Sequence, residues 1–157
     1  MIKIIAVGTI KEKANKELIQ EYIKRLPGFY KPQIYEIAEA KITKINEADV
    51  ALMMKEESQK IISAIQDKDV VILLDIFGES WTSEQFSDHL DKILDYQSSN
   101  ITFVIGGSYG VDESIKKRAN TRFSLSTCTF PHQLVRLLLV EQLYRWYTIK
   151  HKINYHK

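Results

Sequence analysis

The sequence predicts an α/β fold in which a mainly parallel sheet carries helices on both faces. Apolar runs of strand length alternate along the chain with longer segments of helical periodicity, as in β-α-β units. The 157 residues are 45% hydrophobic and 27% charged, a balance typical of a globular domain with a substantial core. The chain contains no internal repeat, low-complexity segment or linker, so we expect residues 1–157 to form a single domain.

The first half of the chain contains two predicted strands and two predicted helices. Residues 2–8, IKIIAVG, are apolar enough for a first strand, and residues 12–26 have the periodicity of a helix that a Pro-Gly pair ends. The alternating residues 33–37, QIYEI, predict a second strand. Residues 46–66 predict a long charged helix.

The second half of the chain predicts three more strands and three more helices. Residues 70–75, VVILLD, are apolar enough for a strand that is buried on both faces. Thr82 is the predicted cap of the following helix, because Gln85 lies three residues later, as in a capping box. The remaining predicted elements are a strand at 101–107, a short helix after Asp112, a strand at 123–126 and a helix from about Pro131 to Lys150.

The segments after the last three predicted strands are the best candidates for a ligand site. Ligands of open α/β sheets bind beyond the carboxyl ends of the strands, where this chain has LLDIFGES, IGGSYG and STCTFPH. Residues 125–130 offer backbone N–H and C=O groups with little side-chain bulk, and Leu74 offers an apolar surface. Together they could hold an adenine ring by its edge and its faces.

The glycines Gly106, Gly107 and Gly110 have two possible roles. Their spacing matches neither the dinucleotide fingerprint G-x-G-x-x-G nor a phosphate loop, which requires a following Lys. Asp112 and Glu113 would also repel a phosphate at the start of the next helix. The glycines therefore either form turns that require positive φ or bring bare backbone against a flat cofactor.

Charge is distributed unevenly along the chain. Residues 1–110 contain 13 Lys or Arg and 17 Asp or Glu, whereas residues 111–157 contain 9 and 3. A basic end favours a polyanionic partner, or it is a solvated tail. Cys128 is the only cysteine, so we expect neither a disulfide framework nor a cysteine-based metal cluster. With no signal peptide and no apolar run of roughly 20 residues, we expect a cytoplasmic protein without a membrane span.

Several motifs together closely resemble one bacterial family. The segments LLDIFGE, FVIGGSYG, LSTCTFPHQLVRLLLVEQLYRWYTI and the terminal YHK occur in this order. They resemble the RlmH family of ribosomal large-subunit pseudouridine methyltransferases, small members of the SPOUT superfamily. The resemblance covers the full chain, and its most specific part is FVIGG-x-x-G followed by S-x-x-TFPH-x-x-x-R and E-Q-x-YR.

The resemblance implies an α/β fold with a C-terminal trefoil knot that holds S-adenosylmethionine. The product would be S-adenosylhomocysteine, and no metal is required. Carried over residue by residue, the cofactor contacts fall on Leu74, Gly106, Leu125, Ser126, Thr127, Cys128, Thr129 and Phe130. The glycines would then make room for the methyl donor, and Cys128 would contact it through its backbone.

The implied reaction is methylation of N3 of a pseudouridine in the helix-69 stem-loop of 23S ribosomal RNA. Because N3 carries a proton at neutral pH, a base or a group that stabilises the anion is needed. His156 is the candidate base, since imidazole titrates near neutrality, and Tyr155 could stack on the target base. Glu141 and Arg145, spaced i, i+4, form the other candidate pair, with the guanidinium available to a phosphate or the uracil edge.

Other basic residues are weaker candidates for contacts with RNA. His132 and Arg136 share a face of the last helix and are weaker candidates, and His132 could simply cap or pack. A patch formed by Lys116, Lys117, Arg118 and Arg122 could contact phosphates. Because so small a chain has no separate RNA-binding domain, we expect the substrate to be an assembled large subunit or ribosome.

The last helix is apolar around nearly its whole circumference. Such a helix is buried on more than one side, which favours a second subunit or a central position within one chain. The resemblance implies a homodimer whose active sites contain residues of both chains. An alternative function is a non-catalytic RNA-binding module on the same fold, and a nucleotide-dependent oxidoreductase is disfavoured by the glycine spacing.

Overall fold

The computed structural model describes residues 1–41 and 45–157. The strands of the described chain are β1 (Ile2–Val7), β2 (Gln33–Ile37), β3 (Val70–Ser80), β4 (Ile101–Ile105) and β5 (Thr121–Ser124). The helices are α1 (Lys13–Arg25), α2 (Glu47–Ala64), α3 (Ser83–Tyr96), α4 (Glu113–Arg118) and α5 (His132–Lys150), and a short 3₁₀ helix covers Gly28–Tyr30.

The strands form one sheet in the order β2-β1-β4-β3-β5. Each neighbouring pair is parallel, so the predicted α/β class with a mainly parallel sheet is confirmed. The carboxyl ends of the strands therefore lie along one edge of the sheet, where the ligand site is expected.

Helices cover both faces of the sheet, as predicted. Ile4, Ile72 and Phe103 face a core formed with α1, α3 and α5. Their strand neighbours Ile5 and Val71 face a second core formed with α2 and α4. Successive residues of a strand point to opposite faces, so one strand supplies both cores.

The end of β3 differs from the prediction. We expected the strand to end at Asp75, but it continues to Ser80 because β5 pairs with it twice. Phe123 is opposite both Leu74 and Glu79, with a register shift between them. A Cβ on Gly78 would lie 2.6 Å from the backbone of Arg122, so this bulged segment requires glycine there.

The pairing of β5 also moves its boundaries toward the N-terminus. The predicted strand covered residues 123–126, whereas Thr121 and Arg122 pair with β3 and the strand ends at Ser124. Leu125 and Ser126 have left the sheet, so both belong to the loop that follows.

The cap of α3 is confirmed. Gln85 N–H donates to Thr82 Oγ1 at 3.2 Å, and Thr82 N–H donates to Gln85 Oε1 at 2.9 Å. Asp112 caps α4, and its carboxylate accepts from the backbone N–H groups of Ser114 and Ile115. Its carboxylate therefore stabilises the start of a helix.

Helix α5 packs on the sheet and contacts both α1 and α3. Leu139, Leu143 and Trp146 are fully buried within the chain, whereas Leu137 and Leu138 are only half-buried. One side of the helix is thus covered by its own chain and another side stays partly open. No described helix is both long and apolar enough to cross a bilayer. The trefoil knot stays a prediction.

Candidate functional site

A cleft of about 760 Å³ opens at the carboxyl ends of β3, β4 and β5. Its walls come mainly from residues 73–77, 105–111 and 122–132. These are the three segments that the sequence indicated, and they meet because parallel strands end along one edge of the sheet. The volume lies within the range of about 300–1,000 Å³ that is usual for small-molecule sites.

The predicted cofactor residues lie together at this cleft. Those that line it are Leu74, Gly106, Leu125, Ser126, Cys128, Thr129 and Phe130. Thr127 belongs to the same loop but is exposed and is not among the lining residues of the cleft. The cofactor contacts themselves stay predictions.

The glycine loop, residues 106–110, forms one wall of the cleft. Gly110 has a φ of 86°, and its N–H donates to the Gly107 carbonyl at 3.0 Å, so a turn that requires positive φ is present. A Cβ on Gly106 would lie 2.9 Å from Val111 Cγ1 and 3.0 Å from the Gly110 carbonyl oxygen. A larger residue at 106 would therefore distort the loop as well as narrow the cleft.

The loop of residues 125–130 presents backbone to the opposite side of the cleft. Cys128 N–H donates to Ser126 Oγ at 3.0 Å, which shapes the turn. In the described part of the chain, no backbone–backbone hydrogen bond joins residues 127–130 to another segment. Apart from the Cys128 N–H, their polar backbone groups are thus available to a ligand, and apolar Leu74 and Leu125 lie nearby on the cleft wall. This lining fits a nucleoside whose edge binds backbone and whose faces bind aliphatic side chains.

An ion pair at the cleft was not predicted from the sequence. Arg122 Nε and Nη2 donate to Asp75 Oδ2 at 3.0 and 2.6 Å, and both residues line the cleft. Asp75 is the last residue of the predicted apolar strand. An acidic residue at the end of such a strand is the sequence feature that could have indicated a polar contact at the cleft. This ion pair holds the Arg122 guanidinium against Asp75 of the same chain.

The predicted phosphate-binding patch is largely engaged within the chain. Arg118 donates to the carbonyl oxygens of Gln66 and Asp69, each at 3.0 Å, and Lys116 pairs with Glu113 at 2.8 Å. With Arg122 also paired, the patch is less available for RNA than we expected. Lys117, also on α4, is exposed.

The four catalytic candidates form a second cluster, between the C-terminal half of α5 and the tail that follows it. Glu141 Oε1 accepts from Arg145 Nη2 at 2.6 Å and from the Tyr155 hydroxyl at 3.0 Å. Arg145 Nη1 lies 3.2 Å from His156 Nδ1, and its guanidinium carbon lies 4.8 Å from the centroid of the Tyr155 ring. The Glu141 hydrogen bond raises the pKa of Arg145, which keeps its positive charge.

Both ring nitrogens of His156 are occupied in this cluster. Because arginine only donates, Nδ1 accepts from Arg145, and Nε2 carries the proton that it donates to Glu84 Oε1 at 2.6 Å. That hydrogen bond lowers the pKa of the Glu84 carboxyl to about 2. The tail is therefore docked on its own chain.

Tyr155 is held protonated by its surroundings. Burial, together with hydrogen bonds to Tyr22 and Glu141, raises the pKa of its hydroxyl above the usual value. Its ring packs edge-on against Tyr144, with centroids 4.8 Å apart. Tyr155 can thus donate a hydrogen bond or present a ring, but it is not a base at neutral pH.

The cleft and the C-terminal cluster are separate within one chain. Val135 lines the cleft, and Arg145 lies ten residues further along α5, which at 1.5 Å per residue is about 15 Å. Among the described lining residues of the cleft, none belongs to the cluster. In the same part of the chain, no group of three or more His, Cys, Asp and Glu side chains could hold a metal ion.

The two weaker candidates lie near the start of α5. His132 lines the cleft, and its Nε2 lies 3.5 Å from Glu39 Oε1. Arg136 is fully buried and donates to Glu36 Oε1 at 2.6 Å and to the Gly8 carbonyl at 2.9 Å. Arg136 therefore joins α5 to the ends of β1 and β2 and is not free to contact a substrate.

A family model described as "Predicted SPOUT methyltransferase" matches residues 1–156. The ribosomal RNA large subunit methyltransferase H of Caldicellulosiruptor saccharolyticus is 45% identical over 157 residues, which is 100% of both chains. The proteins of that name from Latilactobacillus sakei subsp. sakei and Streptococcus pneumoniae are 42% and 43% identical, with 99% of both chains covered.

A solved structure shows the same fold. The crystal structure of a probable rRNA-methyltransferase from Porphyromonas gingivalis matches with a TM-score of 0.55, over 95% of this chain and 69% of that chain. Its sequence identity is 10%, so this match concerns architecture alone. The sequence relatives are far closer and extend over the whole chain. This chain therefore belongs to the SPOUT methyltransferases, and within them to the RlmH family.

Proposed function

We propose that this protein transfers the methyl group of S-adenosylmethionine to N3 of a pseudouridine in the helix-69 stem-loop of 23S ribosomal RNA. The substrate is the RNA in the assembled large subunit or ribosome, which places the enzyme in the cytoplasm. The observation that carries the proposal is the cleft at the carboxyl ends of β3, β4 and β5, where the residues expected to bind the methyl donor lie together. The relatives, which are named ribosomal RNA large subunit methyltransferase H, support ribosomal RNA as the substrate.

The cleft residues bind and orient the donor. Backbone groups of residues 127–130 would hold the adenine edge, and Leu74 and Leu125 would pack on its faces. The bare backbone at Gly106 leaves space beside them. The bound S-adenosylmethionine supplies an electrophilic methyl group. Rate enhancement then depends mainly on holding donor and acceptor in line.

The C-terminal cluster binds the acceptor pseudouridine and accepts its N3 proton. Arg145 binds the uracil edge or a neighbouring phosphate and stabilises negative charge at N3. When Arg145 turns to the RNA, His156 Nδ1 loses its hydrogen bond from the guanidinium and becomes free to accept the N3 proton. Tyr155 stays protonated and contacts the base as a ring or a donor.

The active enzyme is a homodimer. Because the cleft and the cluster are about 15 Å apart along α5, one chain alone does not bring donor and acceptor residues together. A partner chain supplies the cluster to each cleft across the half-buried side of α5, which includes Leu138. The same contact covers the apolar surface that α1 and α3 leave open.

The reaction is tested by methyl transfer from labelled S-adenosylmethionine to ribosomes that lack the modification. We expect label on one pseudouridine of the helix-69 stem-loop, at N3, as mapped by nuclease digestion and mass spectrometry. Ribosomes that already carry the methyl group are the control and should accept no label. Label at another nucleotide or atom would contradict the proposed specificity.

Filling the cleft should abolish binding of the cofactor. S-adenosylhomocysteine at 100 times its dissociation constant should stabilise the wild-type protein by about 2.7 kcal/mol, seen as a rise in melting temperature. Cys128→Trp should remove this rise, because Cys128 is exposed on the cleft wall and can carry an indole without disturbing the core. Cys128→Ser, which keeps the backbone contact, is the matched control and should bind normally.

This binding measurement also separates the alternative function. A non-catalytic RNA-binding module would show no stabilisation by S-adenosylhomocysteine in the wild-type protein. Normal binding by Cys128→Trp would place the cofactor outside this cleft.

A further inference from the structure

Glu57 of α2 is a buried acidic residue that lies behind the glycine loop and is not among the residues lining the cleft. Its side chain is 3% exposed. Oε1 accepts a hydrogen bond from Ala40 N–H at 2.9 Å, and Oε2 has no hydrogen-bond partner in the part of the chain that the structure describes. A buried polar atom without a partner is costly, so its position requires an explanation.

The neighbour of Oε2 is the glycine loop. A Cβ on Gly107 would lie 2.8 Å from Glu57 Oε2 and 3.2 Å from Val7 Cγ1. The carboxyl therefore lies directly against Gly107, although Glu57 does not itself line the cleft. Only a residue without a side chain can occupy position 107 while Glu57 stays in place.

Ser58 contacts the far end of the same loop. Its side chain is fully buried, and its Oγ accepts from Asp112 N–H at 3.0 Å. Asp112 in turn caps α4. Two consecutive buried polar residues of α2 thus contact both ends of the segment that forms one wall of the cleft.

We propose that Glu57 and Ser58 are positioning residues that hold the glycine loop in the geometry required by the methyl donor. The inference rests on the proposed role of the cleft as the cofactor site. Glu57 links Ala40, which follows β2, to Gly107, which follows β4, so a shift of α2 would move this wall of the cleft. Ser58 fixes the loop where it enters α4.

Burial also affects the charge of Glu57. It raises the pKa of the carboxyl, the Ala40 N–H opposes the rise, and the nearby Glu39 carboxylate adds to it. A neutral Glu57 has a smaller desolvation cost than a charged one. Glutamine has a similar shape and no charge, so it can hold the loop in the same manner.

The test is calorimetric titration of folded variants with S-adenosylhomocysteine. Glu57→Ala should weaken binding by about tenfold or more, the order expected for loss of a buried hydrogen-bonded contact, while Glu57→Gln should stay close to wild type. Glu56→Ala is the matched control, because Glu56 is the exposed neighbour paired with Lys60 and should bind normally. In methyl-transfer assays, the KM for S-adenosylmethionine should rise with little change in the KM for ribosomes.

A double-mutant cycle tests the contact itself. Gly107→Ala should weaken binding strongly in the wild-type background, because the new methyl group meets Glu57 Oε2. In the Glu57→Ala background the same change should cost much less, since the carboxyl is gone. Additive effects of the two changes would overturn the proposed contact.

Two outcomes separate the inference from the function on which it rests. If the wild-type protein fails to bind S-adenosylhomocysteine, the proposed cofactor site and the positioning role are both wrong. If wild type binds and folded Glu57→Ala binds equally well, the positioning role alone is wrong. Should Glu57→Ala not fold, Ser58→Ala carries the test: weakened binding supports the inference, and wild-type binding overturns it.

Discussion

Removal of residues 155–157 will abolish methyl transfer while cofactor binding persists. The cleft is lined by residues at or before Val135, so its geometry does not depend on the tail. The tail supplies the imidazole of His156 and the ring of Tyr155, which lies against Tyr22 and Arg145. Because these contacts are at the surface of α1 and α5, we expect a small fall in melting temperature. The measurements are S-adenosylhomocysteine titration and label transfer to ribosomes.

The single change His156→Ala should reproduce most of this loss. A general base contributes about 10²–10⁴-fold, so the rate should fall by at least about 100-fold with little change in the affinity for RNA. The deficit should shrink as pH rises, because N3 then loses its proton to solvent. His151→Ala is the matched control, since His151 is exposed near the same end of α5 and contacts Tyr30. Wild-type activity of the truncated protein would leave Arg145 and Glu141 as the candidates.

Leu138→Arg will convert the proposed dimer into a folded, inactive monomer. Leu138 is half-buried on its own chain, so an Arg there can reach solvent in the monomer but leaves a buried charge in the proposed interface. Leu139→Arg does not test the interface, because Leu139 is fully buried in the core of its own chain and the change would unfold the chain. The sequence pattern alone does not distinguish these two positions. Light scattering at micromolar concentration gives the oligomeric state, and a monomeric wild-type protein would contradict the proposal.

Mixing two inactive variants tests whether one active site uses both chains. Cys128→Trp is designed to block the cleft, and His156→Ala removes the proposed base. In a mixed dimer, one cleft and one tail are intact, and they meet at the same site only if the tail acts on the partner's cleft. Random mixing should then restore roughly one quarter of the wild-type sites. A mixture without activity would show that each chain uses its own tail.

Much of the fold could be predicted because its elements are encoded locally. The apolar runs at β1, β3 and β4 and the alternation at β2 predicted four strands that the structure contains, although β3 continues beyond its predicted end and β4 stops two residues before its predicted end. Thr82 and Gln85 lie three residues apart, so the cap of α3 could be identified from neighbours in the sequence. The candidate cofactor residues meet at the cleft because each follows a parallel strand, and that order of elements is visible in the sequence.

The sequence by itself determined the fold class, the family and the segments that meet at the cleft. The tertiary structure alone decided the double pairing of β5 with β3, the pairing of Arg122 with Asp75, and the separation of the C-terminal cluster from the cleft. It also decided that Glu57, in a charged helix, lies buried against Gly107. Periodicity and caps depend on residues a few positions apart. The contacts of β3 with β5, of Arg122 with Asp75 and of Glu57 with Gly107 instead join segments about fifty residues apart. Their register and packing are settled only when the sheet and helices assemble.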